Sequence, residues 1–476
     1  MTATYQNPLT ERYASARMSA LFSAETRYRT WRKIWIALAE AEHALGLAVT
    51  AQQIAALRRV ADTLNLDDAE RIEREVRHDV MAHVLAFGMQ APEAAGIIHL
   101  GATSCDITDN ADVIIYREAL RMISDRLVEL VRVLARFAKR ERARPCLGYT
   151  HLQPAQLTTV GKRAALWLQD FLHDAQAVKD MLARLKFRGI RGATGTQASF
   201  LDLFHGDARK VAALEQRVAR VFGFKECYPV CGQTYPRKAD AEILNVLNGV
   251  ALSVSKMTND IRYLQSVGEL EEPFGSKQIG SSAMAYKRNP MRSERADSLA
   301  RLVISLTSSP QVTAATQFLE RTLDDSAIRR IVLPEAFLAT DAIIALAIAI
   351  TSGLVVYPAV IARRVRDALP FMATEAVLMA AVEAGRNRQA VHERIRTHAM
   401  AATAAVRAGG SNDLIERLSA DEEIGLSRAA IETLMDPRRF IGRAPQQVDE
   451  FLKRCVQPFL RRYRPFFPAD QSSVKY

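Results

Sequence analysis

Apolar residues recur at alternating three- and four-residue steps through the middle of the chain, a seven-residue period typical of long packed helices. Four stretches carry this spacing, and they cover 110–142, 168–185, 243–264 and 333–347. Each stretch predicts a helix of roughly 30 residues, or about 45 Å at 1.5 Å per residue. We find no run of alternating β-branched residues long enough for a substantial sheet. The pattern therefore predicts an all-α fold.

The two ends of the chain differ from this middle part. Residues 1–104 carry shorter amphipathic segments, and the residues from 357 onward are interrupted by Pro and Gly. We therefore predict three domains, namely an N-terminal helical domain (1–104), a central long-helix bundle (105–356) and a C-terminal helical domain (357–476). Helices this long expose more apolar stripe than one chain covers easily, which predicts a bundle completed by other subunits.

Charge and hydropathy exclude several classes of protein. The 476 residues include 64 Lys and Arg against 53 Asp and Glu, and the net charge of +11 favours anionic partners. The basic residues are spread along the chain without a basic block or a nucleic-acid-binding motif, so we expect no nucleic-acid partner. The longest apolar run, 342–350, is far short of the ~20 residues that span a bilayer, and we expect a soluble protein with no membrane partner.

The cysteines indicate a compartment and argue against a metal. The five cysteines are few, odd in number and scattered, which favours a reducing, cytoplasmic environment. Cys227 and Cys231 are four residues apart, but no second Cys or His pair lies nearby at a ligand spacing. We expect no metal.

Four parts of the chain break the helical pattern and concentrate Gly, Ser, Thr, His and Arg. They are 77–83 with 98–104, then 148–156, 275–295, and 320–326 followed by Arg329 and Arg330. Hydroxyls before a helix and a Gly/Ser loop can direct donors at an anion, and an Arg cluster suits a carboxylate or phosphate. The alternatives are a solvated connection, a solvated charged face and a capping histidine.

The strongest motif lies in the third part. Residues 280–289 read GSSAMAYKRN, and this string resembles the G-S-x-x-M-x-x-K-x-N signature of the fumarase/aspartase/argininosuccinate lyase superfamily. The strings RHDVMAH, THLQPAQ and RTLDDS make the chain similar to the adenylosuccinate-cleaving branch, from Tyr13 to about Gln447. Ala285 departs from the pattern, because relatives usually have Pro there, and its backbone is freer.

The resemblance implies a reaction and an assembly. The reaction is β-elimination of fumarate from adenylosuccinate, giving AMP, and from succinyl-aminoimidazole carboxamide ribotide, both in purine nucleotide biosynthesis. The assembly is a homotetramer with a twenty-helix core, whose active sites are shared between subunits, and no cofactor is implied. The alternative is a sister fumarate-releasing enzyme such as argininosuccinate lyase, but the matches near Arg12, His78 and Thr103 favour a phosphorylated substrate.

The resemblance also implies site residues. Ser281 matches the catalytic base, which removes a proton from the succinyl Cβ, and His151 matches the general acid, which protonates the departing nitrogen. The matching substrate-binding residues are Arg12, Tyr13, Arg77, His78, Asp79, Thr103, Ser104, Gln233, Lys287, Asn289, Arg295, Arg321, Ser326 and Arg330. Among these, Lys287 and Asn289 are expected to hold the carboxylates of the nascent fumarate. Arg12, Arg321 and Arg330 are expected to face the phosphate, and His78 to position the substrate.

Overall fold

The computed structural model describes residues 4–468, and helices dominate it. The α-helices are α1 (Ala16–Leu21), α2 (Ala24–Ala44), α3 (Ala51–Arg59), α4 (Leu66–Val76), α5 (Asp79–Gln90), α6 (Ser104–Arg140), α7 (Val160–Arg184), α8 (Ala198–Leu203), α9 (Ala208–Val221), α10 (Lys238–Ser266), α11 (Met291–Leu306), α12 (Ser308–Ala315), α13 (Asp325–Ser352), α14 (Pro358–Met372), α15 (Thr374–Glu383), α16 (Arg388–Arg407), α17 (Leu414–Ser419), α18 (Arg428–Leu434), α19 (Ala444–Phe451) and α20 (Gln457–Arg462). Short π-helical turns cover Leu9–Tyr13 and Leu452–Val456, and 3-10 turns cover Pro92–Ile97 and Pro437–Arg439.

Strands form only two small antiparallel ribbons in the described part of the chain. The first pairs β1 (Pro145–Thr150) with β2 (Gln153–Thr159), and the second pairs β3 (Leu270–Glu271) with β4 (Val355–Val356). The all-α prediction is confirmed. The first ribbon was not predicted, because the sequence indicated only a short Pro-bounded segment between two long helices.

The four stretches with a seven-residue period all belong to long helices. They lie in α6, α7, α10 and α13, which contain 37, 25, 29 and 28 residues. A further helix of the bundle, α11, packs against α10 and α13. Helix α11 was not predicted, because its 16 residues follow directly on the basic signature segment and carry too few apolar repeats to show a seven-residue period.

The apolar seams of these helices are covered within the chain. Leu127 of α6, Leu247 of α10 and Phe337 of α13 are all fully buried. Other helices of the same chain therefore cover these seams, and the prediction that other subunits complete the bundle stays a prediction. Apolar residues that remain exposed lie on other faces of the bundle, and they include Leu166 and Leu252, at 51% and 52% exposure.

Helix α13 is the most apolar element of the bundle. By length and composition it could cross a membrane, but 72% of its most apolar window is buried inside the protein. It also carries a fully buried carboxylate, Asp341, which pairs with Arg126 of α6 at 2.8 Å. These features are those of the central core helix of a folded domain.

The predicted domain boundaries can be placed on this structure. The boundary at 104/105 falls at the first turn of α6, and that at 356/357 falls between β4 and α14. One large hydrophobic cluster contains residues of all three segments, for example Leu38, Leu247 and Leu369. A second cluster spans 31–111 and a third spans 377–431. The three-domain division remains a prediction.

The start of α7 packs directly on the end of α6, and we expect this contact to be sensitive to one methyl group. The Gly161 N–H donates to the Glu141 carbonyl at 3.0 Å, and a Cβ at Gly161 would lie 2.4 Å from the carbonyl oxygen of Ala138. Gly161→Ala should therefore force the helices apart and lower the free energy of unfolding by about 1–3 kcal/mol. Thermal and urea unfolding measure this change.

Gly96→Ala is the matched control, since nothing lies within 4 Å of a Cβ at Gly96. It should leave the unfolding midpoint nearly unchanged. Equal stability of the two variants would contradict the close approach of α6 and α7.

Candidate functional site

One group of predicted site residues assembles where α5, α6 and α13 meet. His78 caps α5 by accepting from the Met81 N–H at 3.3 Å, and its Nε2 lies 3.5 Å from Ser104 Oγ, at the first residue of α6. Asp79 receives a hydrogen bond of 2.8 Å from Arg330 of α13. Segments far apart in sequence therefore bring a histidine, a hydroxyl, a carboxylate and a guanidinium together.

Gln233 and Arg321 extend this group on its other side. The Gln233 N–H donates to the carbonyl of Glu320 at 3.0 Å, and its side-chain Nε2 donates to the carbonyl of Ala193 at 3.0 Å. Arg321, Ser326 and Arg330 line a common pocket at the start of α13. A methyl group at Gly232 would lie 2.7 Å from the Glu320 oxygen, so glycine is what allows these two segments to touch.

Cys105 adds a contact that the sequence did not predict. Its thiol lies 3.6 Å from Gln233 Oε1, as a weak donor to the amide oxygen. Burial raises the pKa of Cys105 to about 12, so the sulfur keeps its proton at neutral pH. The protonated thiol can therefore serve as the donor in its contact with Gln233.

A buried carboxylate anchors this side of the site. Asp106 accepts from the Thr103 N–H at 2.8 Å and from the Arg191 N–H at 2.6 Å, and it pairs with the guanidinium of Arg188. Both Asp106 and Arg188 are fully buried. We predicted that hydroxyls and backbone N–H groups at the start of α6 would bind an anion. One of these groups, the N–H of Thr103, already donates to the carboxylate of Asp106.

A second buried network forms part of the wall of this pocket. Arg329 donates to Asp240 at 2.6 Å and to Asp112 at 3.1 Å, and only 6% of it is exposed. Arg329 lines the same pocket as Arg321 and Arg330, but its Nε and Nη2 groups donate to side chains inside the protein, which leaves it less accessible to a ligand than those two arginines. The signal for the buried pairs near this pocket is the spacing of Asp106, Asp109 and Asp112, whose charges recur every three residues at the start of α6.

Two histidines of the first polar stretch have packing roles. His83 stacks on Tyr28 with ring centroids 3.8 Å apart, and burial lowers its pKa to about 4. His99 accepts from the indole N–H of Trp35 at 3.0 Å, and burial lowers its pKa as well. Both rings are therefore neutral at physiological pH and stabilise the aromatic cluster behind the site.

Tyr13 and Arg295 form a separate pair. The Arg295 guanidinium carbon lies 5.9 Å from the centre of the Tyr13 ring, which joins the π-helical turn Leu9–Tyr13 to α11. Arg12 lies beside Tyr13 on this turn and is exposed. Arg77, which ends α4 in the left-handed conformation (φ 56°), is exposed as well.

The signature loop connects β3 to α11 and holds three predicted residues. Ser281 Oγ accepts from the Met284 N–H at 3.1 Å and from the Ala283 N–H at 3.4 Å. Asn289 Nδ2 donates to the Gly280 carbonyl at 2.8 Å, which closes the loop at its base. Lys287 is exposed on the same loop. The hydroxyl oxygen of Ser281 is therefore held by backbone donors, the groups that stabilise negative charge on an oxygen.

His151 lies at the tip of the β1–β2 hairpin. His151 and Leu152 form its two-residue turn with positive φ values of 53° and 57°, a conformation uncommon for residues other than glycine. Both side chains are exposed, Leu152 at 73%. The hairpin therefore projects the predicted acid away from the body of its own chain.

The predicted residues thus fall into four places within one chain. They are the pocket group (His78, Asp79, Thr103, Ser104, Gln233, Arg321, Ser326 and Arg330, with Arg77 beside it), the Arg12–Tyr13–Arg295 group, the signature loop, and the hairpin tip. Across residues 4–468, no hydrogen bond, ion pair or ring contact joins His151 or the Ser281 loop to the pocket group. In the same range, no three His, Cys, Asp or Glu side chains lie close enough to hold a metal ion.

Comparison with known proteins identifies lyases as relatives over most of the chain. Residues 11–305 match the family described as Lyase, and residues 370–451 match the family described as Adenylosuccinate lyase C-terminus. Over 471 residues the chain is 51% identical to adenylosuccinate lyase of Saccharomyces cerevisiae, which covers 98% of each chain. It is 47% identical to adenylosuccinate lyase of Schizosaccharomyces pombe, again over 98% of each.

A solved structure has the same fold. The crystal structure of fumarate lyase from Mesorhizobium sp. BNC1 superposes with a TM-score of 0.79 at 26% identity. The match covers 95% of this chain and all of the other. Sequence and structure comparisons therefore agree over nearly the whole length.

Asp106→Asn should lower the stability of the fold around the site. The amide keeps the shape of the side chain, but it removes the charge facing Arg188 and turns an N–H₂ group towards other donors. Breaking a buried ion pair costs about 3–5 kcal/mol, so we expect a large fall in the free energy of unfolding. Urea denaturation measures this change.

Asp67→Asn is the control for the loss of an acidic side chain near a helix start, since Asp67 is exposed in the first turn of α4. Its unfolding midpoint should stay close to that of the unmodified protein. If both variants unfold alike, Asp106 does not anchor the site.

Proposed function

Because this chain belongs to the adenylosuccinate lyase family, we propose that its site releases fumarate from adenylosuccinate, giving AMP, and from succinyl-aminoimidazole carboxamide ribotide. It is a carbon–nitrogen lyase of purine nucleotide biosynthesis. The observation that carries this conclusion is 51% identity over 98% of both chains, together with a signature loop that holds Ser281 by backbone donors. The match at 370–451 argues against a sister lyase.

We propose Ser281 as the base that removes the proton from the succinyl Cβ. A serine hydroxyl is a weak base at neutral pH, so the reaction needs donors that stabilise its alkoxide. The N–H groups of Ala283 and Met284 point at Oγ and meet this need. The electron pair left on Cβ delocalises into the adjacent carboxylate, and Lys287 and Asn289 on the same loop are the proposed partners of that charge.

We propose His151 as the acid that protonates the departing nitrogen, since an imidazole can carry and donate a proton near neutral pH. Its exposed position at the hairpin tip suits an acid that completes the site of a neighbouring subunit. We therefore propose a homotetramer with shared active sites and a twenty-helix core. Exposed apolar residues on the outer faces of the bundle, such as Leu166 and Leu252, are consistent with further burial between subunits.

The pocket group is the proposed binding site for the nucleotide. Arg321, Ser326 and Arg330 surround one pocket and offer donors to a phosphate, as Arg12 does from the N-terminal turn. We propose His78, Thr103, Ser104 and Gln233 as groups that position the purine and sugar, with Arg77, Asp79, Tyr13 and Arg295 at the rim. The five cysteines carry free thiols, which agrees with a proposed cytoplasmic location.

Mixing inactive variants tests both assignments together. Ser281→Ala and His151→Gln should each lose nearly all fumarate release from adenylosuccinate, because each lacks one proton-transfer group. If the two residues of one site come from different chains, subunit exchange between the variants should restore about a quarter of the activity, since half of the sites receive each intact residue.

Ser282→Ala is the matched control and should keep most of the turnover. Activity lost in Ser282→Ala but kept in Ser281→Ala would reject the assignment of the base. No recovery after a verified exchange of subunits would reject the shared site.

A further inference from the structure

Arg237 is an almost fully buried cation in the wall of the pocket, and its donors are divided between two carboxylates. Its Nη1 and Nη2 donate to the two oxygens of Asp109 at 3.0 and 3.1 Å, and its Nε donates to Asp325 at 2.5 Å. Only 4% of Arg237 is exposed. The bidentate pair fixes the plane of the guanidinium, which in turn fixes the direction of its Nε–H.

Asp325 links Arg237 to Arg321, which also lines the pocket. It is the first residue of α13 and is fully buried, and both of its oxygens accept from Arg321 Nη1, at 3.0 and 3.2 Å. The Arg321 side chain is partly open to solvent, with 23% exposed. Across residues 4–468, the Nε and Nη2 groups of Arg321 make no hydrogen bond, so they are available to a ligand.

We propose that Arg237 is a positioning residue for nucleotide binding, which acts through Asp325 to aim Arg321 at the phosphate of the substrate. This inference rests on the proposed function, in which Arg321 faces that phosphate. Arg237 lines the same pocket, but its Nε, Nη1 and Nη2 groups all donate to Asp325 and Asp109, so we infer that it does not bind the nucleotide directly. Its effect on binding therefore has to pass through Arg321.

The chemistry of the three side chains explains why arginine is needed at position 237. A lysine would keep the positive charge, but its ammonium is a point donor without the fixed fork of a guanidinium. It could not hold both oxygens of Asp109 and also direct a donor at Asp325. Asp325 would then be free to shift, and Arg321 would lose its fixed direction.

The neighbouring Arg329 provides a matched comparison. It is also a buried arginine bound to carboxylates, those of Asp240 and Asp112. It lies one turn after Asp325 on α13, and its side chain makes no hydrogen bond to Arg321 or Asp325 in the described part of the chain. Arg329→Lys therefore makes the same chemical change at a second buried arginine without removing a hydrogen bond from the path between Arg237 and Arg321.

The experiment is a double-mutant cycle on the assembled enzyme, with AMP as the probe and calorimetric titration as the readout. Arg237→Lys should weaken AMP binding by about tenfold, because the bidentate geometry is lost. In the Arg321→Ala background the same substitution should change AMP affinity by less than about twofold. Affinity for adenosine, which lacks the phosphate, should be unchanged by Arg237→Lys.

Arg329→Lys supplies the control for a general effect of disturbing the buried network. The loss of AMP affinity caused by Arg329→Lys should be the same in the unmodified protein and in the Arg321→Ala background. Equal factors for Arg237→Lys in both backgrounds, or an equal loss of adenosine affinity, would overturn the inference. If Arg237→Lys fails to fold, Asp109→Asn loosens the same guanidinium and should give the same non-additivity with Arg321→Ala.

The failure of this inference is distinguishable from the failure of the proposed function. An unmodified protein that neither binds AMP nor releases fumarate would reject the proposed function. An active unmodified protein with additive Arg237 and Arg321 effects would reject only the positioning role. Steady-state kinetics add a third readout, since Arg237→Lys should raise KM for adenylosuccinate with little change in kcat.

Discussion

The buried carboxylate of Asp106 is the constraint on which the pocket depends. It lies in the first turn of the longest helix and binds at once the residue before that helix, the backbone at Arg191, and the guanidinium of Arg188. Arg188 in turn donates to the carbonyl of Gly232 at 3.3 Å, next to Gln233. One carboxylate therefore sets the relative positions of three segments. Leaving a buried charge unpaired would lower the stability of the fold by several kcal/mol, so these contacts hold together. These contacts hold the start of α6 against the segments around Arg191 and Gly232.

The groups proposed for proton transfer lie in a different environment. Ser281 and Lys287 belong to a loop with exposed residues, and His151 lies at the tip of a two-stranded hairpin. The proposed nucleotide site is thus an ion-paired pocket, and the proposed proton-transfer groups lie on elements at the surface of the chain. Surface elements carried by a rigid scaffold are suited to close on a substrate and to meet a neighbouring subunit.

Much of the fold follows directly from the sequence pattern. The four long helices were predicted because their apolar residues keep a seven-residue period, and the signature loop because its composition differs from every helix around it. Helix α11 and the hairpin were not predicted, since α11 carries few repeats and β1 and β2 lack an alternating pattern. Periodicity shows that a stripe is buried but not by which chain, and helices of the same chain already bury these seams, so completion of the bundle by other subunits stays a prediction.

The site was predictable only in part for a similar reason. The motifs identified residues such as His78, Gln233 and Arg330, which do converge, yet Asp106, Arg188 and Arg237 carry no motif. Their roles depend on which charges meet in space, and a single sequence does not encode that as a local spacing. Arg329 illustrates the point, since it is adjacent to Arg330 in sequence but points into the core.

The most direct test of the account is product analysis after the purified protein is mixed with adenylosuccinate. Fumarate and AMP should form in equal amounts, because each elimination releases one molecule of fumarate and one molecule of AMP. A folded protein that forms neither product would contradict the assignment of this site to fumarate release.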